Sequence, residues 1–285
     1  VSLFQRKHYQ LGIAADHLAL LHVGANRTQD KSLLAEMPFS ASFKQPQTML
    51  EAVEQLFTSH SLAGSRVEVI IADAWARYWL VDPPTNVASL AELKTCCEAR
   101  FEHLFGDAVT DWQVIADWQA ANTFLAAAIP AWLLNGLMNV CRQHDVKLGS
   151  CVPLFIQYWN HLNSRLPTDL WLCTEHAGTL ILALVLNGRL RTIRTLTAPH
   201  KLTDSELLAT IERESLRVAS EEIRPLPTSI YHVGPELRQS SDATHGPLQL
   251  INLNKVSSPQ NAAASTPHSR PSGDSWLVLA GSPSW

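Results

Sequence analysis

No cluster of lysine or arginine occurs anywhere in the 285 residues, and 22 basic against 26 acidic side chains leave a formal net charge of -4. A nucleic-acid binder ordinarily carries a basic patch, so that class is disfavoured. No run approaches the roughly 20 apolar residues that cross a bilayer as a helix. The most apolar one, Thr179 to Leu186, stops at Asn187. The first ten residues (VSLFQRKHYQ) hold no hydrophobic signal core, and the expected address is the cytoplasm. Cysteine is scarce and unpatterned: five residues, an odd count, with Cys96 and Cys97 adjacent and no CxxC. Small buried thiols in a reducing compartment explain that better than a redox or metal site. The twelve histidines show neither HxxxH nor HExxH spacing, so a zinc site has no sequence support. Walker A, GxSxG and GxGxxG are also missing, and with them several hydrolase and nucleotide-binding classes.

What is present is a β-rich pattern that occurs twice. Between Asp169 and Leu196, Leu170 to Thr174 reads as a buried strand and Thr179 to Leu186 as a second. Asn187-Gly188, the dipeptide suited to the positive φ angles of a tight hairpin, leads to an alternating strand from Arg189 to Leu196. Near the start, Leu11 to Ala14, His17 to Val23 and Ser32 to Phe39 repeat the sequence strand, tight turn, strand, turn, strand. The identity between copies is poor, so the repeat is one of pattern alone. A chain of this length, 46% hydrophobic, is expected to form two lobes.

In chain order, Gln47 to Ser59 is an amphipathic helix and Arg66 to Ala72 a buried strand, the crossover of an α/β sheet. Ala74 to Val81 reads as a further strand, closed by Asp82-Pro83-Pro84. Ser89 to Phe105 is a helix with Ser89 as N-cap, Glu92 at the capping-box position and Gly106 at its end. Trp112 to Trp118 and Thr123 to Ile129 form a strand pair, and Pro130 opens a helix over Ala131 to His144. Helix, two strands, helix make an inserted unit between Pro84 and Val146. Val146 to Cys151 returns as a strand and Pro153 to Leu162 as a helix. Beyond the second meander, Thr203 caps a charged helix to Ala219, Ser229 to Val233 is a short strand, and Leu248 to Leu253 is the last strand. Residues 257–274 are small, polar and proline-dotted, the composition of a disordered tail, and Trp276 to Ala280 closes it with an apolar cluster.

This order of elements resembles the actin-like ATPase fold, and within it the PilM-like pilus-assembly proteins and GspL-type cytoplasmic domains. The likeness rests on Leu11-Gly12-Ile13, Val67 to Val81, His144 to Leu154, Leu172 to Leu190 and Tyr231 to Gly234. It implies an α/β fold of two RNase H-like lobes with a small α+β insertion. The first lobe comprises 1–84 and 146–166, the insertion 85–145 and the second lobe 167–256, with the tail at 257–285. It also implies a scaffold for a type IV pilus or type II secretion-like machine. Such a scaffold sits under the inner membrane and binds the short cytoplasmic tail of a membrane partner in a groove beside the inserted unit. A homodimer is compatible with it.

Proteins of this fold cradle nucleotide phosphates with two glycine-containing hairpins and an acidic residue near each. The resemblance maps that site onto Gly12, Asp16, Glu175, Gly178 and Gly234, with three departures. Ala14 stands where the family has aspartate, and Asp16 where a turn glycine is expected. Cys173 or Thr174 falls near the second acidic position, leaving Glu175 and His176 in the turn. The expectation is a degenerate cleft, with no required cofactor and Mg-ATP as the alternative. The competing functions are an active actin-like ATPase or sugar-kinase-like phosphotransferase, with Glu175 or Asp16 holding metal, and an FtsA-like cell-division protein. Trp276 to Ala280 is too short and uncharged for that protein's membrane helix. For partner contact, Arg77, Tyr78 and Trp79 supply the residue types enriched at interface hot spots, although alternate residues of their strand belong to a core. Leu250 to Leu253 (LINL) resembles the short apolar tail such scaffolds accept, and is a candidate to occupy the chain's own groove or a neighbour's.

Overall fold

The computed structural model describes residues 7–24, 31–39, 47–198, 201–220, 222, 225–234 and 248–253. Its frame is the meander written twice. In the first copy, β1 (His8–Ile13), β2 (His17–Val23) and β3 (Lys31–Pro38) run antiparallel. In the second, β9 (Leu170–His176), β10 (Thr179–Leu186) and β11 (Arg189–Thr197) do the same. A bulge interrupts the outer pair of each copy, at Leu20/Leu21 and at Leu184/Val185. Asn187 and Gly188 take φ of 55° and 71°, as a two-residue hairpin turn requires.

Each meander then gains two parallel strands on the far side of its first strand. β4 (Arg66–Ile71) pairs with β1, and β8 (Lys147–Pro153) with β4. β12 (Ser229–Val233) pairs with β9, and β13 (Gln249–Asn252) with β12. The orders β3-β2-β1-β4-β8 and β11-β10-β9-β12-β13 are the same order, so the duplication read from pattern alone is a duplication of topology. The parallel crossovers are made by helices: α1 (Gln47–His60) leads from β3 to β4, and α5 (Asp204–Ala219) from β11 to β12. Thr203 caps α5 with a reciprocal box: its hydroxyl accepts the Glu206 amide at 3.2 Å, and the Glu206 carboxylate accepts the Thr203 amide at 2.8 Å.

β10 shows why these strands are apolar without interruption. Leu180, Leu182, Leu184 and Leu186 pack with Leu207, Leu208 and Ile211 of α5, whereas Ile181, Ala183 and Val185 join the central core with Leu11, Val69 and Phe155. Strand period 2 thus serves two cores at once, each buried leucine contributing roughly 1.5–3 kcal/mol.

The third sheet, β5-β7-β6, is where the structure departs from the sequence reading. β5 (Arg77–Val81), expected with the first lobe, pairs antiparallel with β7 (Phe124–Pro130), which also pairs with β6 (Trp112–Ala116). The cause lies between β4 and β5, where a helical turn at Asp73–Trp75 redirects the chain out of the first sheet. α2 (Leu90–Phe105) covers one face of this sheet through Leu93, Cys97 and Phe101. Its N-cap Ser89 accepts the Glu92 amide, and Gly106 ends it at φ 70°. α3 (Ala131–Gln143) follows β7 and carries the chain back to β8 and α4 (Leu154–Leu162).

Asp73 closes this detour. Its buried Oδ1 accepts from the Tyr78 hydroxyl of β5 and from the Phe155 amide, at 2.9 Å, in the first turn of α4. The way into the insertion and the way out therefore share one oxygen. Burial pushes the Asp73 carboxyl up to about 6, against the two hydrogen bonds that favour the anion.

The last predicted strand exists as β13, but at the outer edge of the second sheet, where Leu250 packs toward the α5 core. LINL is thus built into the second sheet through β12, and its Leu253 is buried in the central core. The tail from 257 and Trp276 to Ala280 fall outside the described residues.

Asp73→Leu is predicted to cost several kcal/mol, since two buried donors lose their acceptor at about 1–3 kcal/mol each; Asp73→Asn keeps an acceptor oxygen and costs less. The raised carboxyl gives a signed pH effect. Stabilisation is complete below the ordinary value of 3.8 and is lost as pH rises through about 6, a change of about 3 kcal/mol. Urea midpoints between pH 4 and 7.5 should lose that component in Asp73→Asn.

Candidate functional site

The two tight turns of the meanders lie opposite one another. The first is the Ala14–His17 turn, closed by the Ala14 amide on the His17 carbonyl at 2.9 Å. Trp75 Nε1 donates to the Ala14 carbonyl at 2.9 Å, so the turn is braced from behind. The second is Ala177-Gly178, with φ of 44° and 77°. At its edge, the buried His176 imidazole is held down to about 4, first by burial and then by His17, with Asp16 opposing. Only a short distance across the interlobe space lets Asp16 and His17 of one turn act on His176 of the other.

The residues assigned to a nucleotide cleft are thus gathered, but in roles other than those expected. Gly12 is a mid-strand residue of β1, in register with Ala19 and Ile70, and forms no loop. Asp16 is 74% exposed and pairs with His17 Nδ1 at 2.9 Å. Glu175 and His176, expected in the turn, are the last residues of β9, which is buried along its whole length. Glu175 points inward: Oε1 accepts the Leu202 amide at 3.4 Å, and Oε2 stands 3.6 Å from Nε2 of the fully buried His232. The Gly178 carbonyl accepts the Ala198 amide at 2.8 Å. Gly234, at φ 155°, is required by close packing, since a Cβ there would sit 2.6 Å from the Glu175 carbonyl oxygen.

A magnesium triphosphate needs free backbone amides and a carboxylate turned toward the metal. Here the exposed Asp16 carboxylate stands at one turn, while buried Glu175 gives Oε1 to the Leu202 amide and leaves Oε2 without a hydrogen-bond partner. Among the described residues no three histidine, cysteine, aspartate or glutamate side chains converge as a metal site.

The three residues assigned to partner contact divide. Tyr78 and Trp79 are buried and cannot meet a partner. Tyr78 faces the central core and holds Asp73, while Trp79 stacks in the insertion core with Phe101 at 5.2 Å and Phe105 at 5.9 Å. Period 2 puts the two on opposite faces of β5, and a core waits on each. Arg77 lays its guanidinium over Trp112 at 5.2 Å and Phe105 at 5.7 Å.

An open groove lies instead on the far side of the insertion, beside the first lobe. Asn135, Met138, Asn139 and Arg142 form one stripe of α3 and face Val146 and Leu148 at β8, around about 430 Å³. β8 is the outer strand of its sheet. Sequence reading missed the groove because no motif marks it; the i, i+3, i+4, i+7 stripe of Asn and Met on a helix next to a strand was the available signal. It placed His176 in the turn and gave His232 no role, since the latter is visible only as a polar interruption of the apolar run SIYHV.

Two like-ordered lobes with an inserted α+β unit define the class: the chain has the actin-like ATPase fold. It is similar to the structure of the PilM–PilN type IV pilus biogenesis complex, with TM-score 0.56 and 13% identity over 96% of this chain and 97% of that one. It is also similar to the cytoplasmic domain of EpsL, an inner-membrane component of the type II secretion system of Vibrio cholerae, with TM-score 0.53 and 11% identity over 86% and 89%. A Bacteroides thetaiotaomicron protein of actin-like ATPase fold and unknown function aligns with TM-score 0.55 and 10% identity over 81% and 83%. No family model and no curated protein matches the sequence. Among the described residues no helix is long and apolar enough to cross a membrane.

Trp79→Ala is predicted to cost about 3–5 kcal/mol by emptying the insertion core, and Arg77→Ala about 1 kcal/mol or less, both read from thermal unfolding. His176 titrates in the opposite sense to Asp73. Its folded value lies below 6.5, so its stabilisation is present above pH 6.5 and lost as pH falls toward about 4. His176→Gln should remove that acid-side loss from the urea midpoints.

Proposed function

We propose that the protein is a non-enzymatic cytoplasmic scaffold of a type IV pilus or type II secretion-like assembly, which binds the cytoplasmic tail of an inner-membrane partner beside its inserted unit. The observation that carries this reading is the whole layout. The insertion interrupts only the first of two equal lobes, and the match to the PilM–PilN and EpsL structures extends over most of both chains. The turn residues support the non-enzymatic part. Asp16, Glu175, Gly178 and Gly234 are engaged with the protein itself or turned to solvent, and the nucleotide cleft is read as degenerate.

The test has two arms. Titration calorimetry with Mg-ATP is expected to give no binding heat, and phosphate release should stay at the blank. Photo-cross-linking from Met138 in living cells should join the chain to an inner-membrane protein with a short cytoplasmic tail. Tight Mg-ATP binding with turnover lost in Glu175→Ala would instead make the protein an ATPase.

A further inference from the structure

We infer that a row of basic side chains across the first sheet, on the face opposite to the groove, binds an extended acidic segment of a protein partner. This goes beyond the scaffold reading and does not rest on it, because it concerns another face of the sheet.

The sequence holds no basic run, but the register of five strands builds one. Lys147 of β8 is opposite Arg66 of β4, and Arg66 is opposite His8 of β1. His8 is in turn opposite Val23 of β2, and Val23 opposite Lys31 of β3. Register partners share a face, so the four basic side chains form one row. With about 4.8 Å between strands the row is about 19 Å long, the reach of about six extended residues. Leu148 lines the groove, and alternation turns its neighbour Lys147 to the other face.

The row is short of negative charge. The next row on this face, Ser150, Glu68, Gln10, Leu21 and Leu33, holds one carboxylate. Glu68 Oε1 stands 3.8 Å from Arg66 Nε, and that buried nitrogen has no hydrogen-bond partner. Where β8 bulges, Gly149 leaves room for the guanidinium, since a Cβ there would sit 2.5 Å from Nε. Lys31 Nζ donates to Gln10 Oε1 at 2.8 Å, a neutral acceptor that is itself buried. Burial lowers the Lys31 ammonium to about 8, with Glu68 opposing. Both cations are drawn from water without full compensation, and arriving carboxylates supply it.

The form of the row sets the ligand. Arg66 leans toward β8, donating to the Gly149 carbonyl at 3.5 Å, and Lys31 leans toward β1. The charges stay spread, which suits an extended polyanion and not one small ion. Leu33, 41% exposed, follows Lys31 on the same face and offers such a segment an apolar contact. Neither row contains tryptophan, tyrosine or phenylalanine, so the stacking platform of single-stranded nucleic acid is missing from them. On a chain of net charge -4, a local excess of cations favours an acidic arrival.

The probe is a fluorescein-labelled octapeptide of glutamate with one central leucine, titrated with the full chain by fluorescence anisotropy. Binding is expected, and it should weaken several-fold when sodium chloride rises from about 50 to about 200 mM. Lys147→Glu and Arg66→Gln should each lower affinity about tenfold, and Glu68→Gln should raise it about threefold. Arg213→Glu, exposed on α5 in the second lobe, changes net charge as much as Lys147→Glu and should leave binding unaltered. Unfolding temperatures check each fold, and the exposed Lys147 keeps the test decisive should Arg66→Gln unfold. No binding, equal losses in Lys147→Glu and Arg213→Glu, or equal affinity for a thymidine oligonucleotide of the same length overturns the inference. Cross-linking from Met138 reports on the scaffold reading separately, so either can fail alone.

Discussion

One carboxylate oxygen holds the insertion in place. Asp73 Oδ1 accepts a hydrogen bond from Tyr78 on the first strand of the third sheet and another from the first turn of α4, where the chain has just left the first sheet. Between those two donors lie more than 75 residues of sequence, but in space they converge on one atom. Without that atom, β5 has no fixed departure from β4 and α4 no fixed start. The cost of keeping a carboxyl there is visible in how far burial raises it, toward about 6.

That anchor fixes where β5 and α4 begin. β5 turns Tyr78 toward the central core and Trp79 toward the insertion core, so the strand is packed on both faces. α3 leaves that sheet at Pro130 and lines the groove with β8. On the opposite side, Arg189 at the hairpin of the second lobe donates to Asn122 in the β6–β7 loop, which ties the insertion to the second lobe as well. The fold thereby connects the cleft, the insertion and the groove without any ligand.

Much of this layout was legible in the sequence because it is written in short-range chemistry. Asn187-Gly188, the Thr203 and Glu206 box, Ser89 and Gly106 each fix a local conformation whatever surrounds them. The doubling of the meander could be read because apolar runs of strand length recur between tight turns. What could not be read is the partner of each strand. RYWLV is as apolar as a strand of the main sheet, and nothing within it says that the turn at Asp73–Trp75 sends it to β7. The site was legible in part. Asp16 and Gly178 read from sequence as turn residues and lie at the turns, but Glu175 also reads as one, because an acidic side chain after an apolar run ordinarily marks the surface. Its burial depends on His232 and on the Leu202 amide, both far away along the chain.

The proposed scaffold would dock its partner without using nucleotide between the two turns. Hydrogen–deuterium exchange of the full chain, with and without Mg-ATP, tests this most directly. The account predicts identical protection at Ala14–His17 and His176–Thr179 in both conditions. Nucleotide-dependent protection confined to those two turns would contradict it.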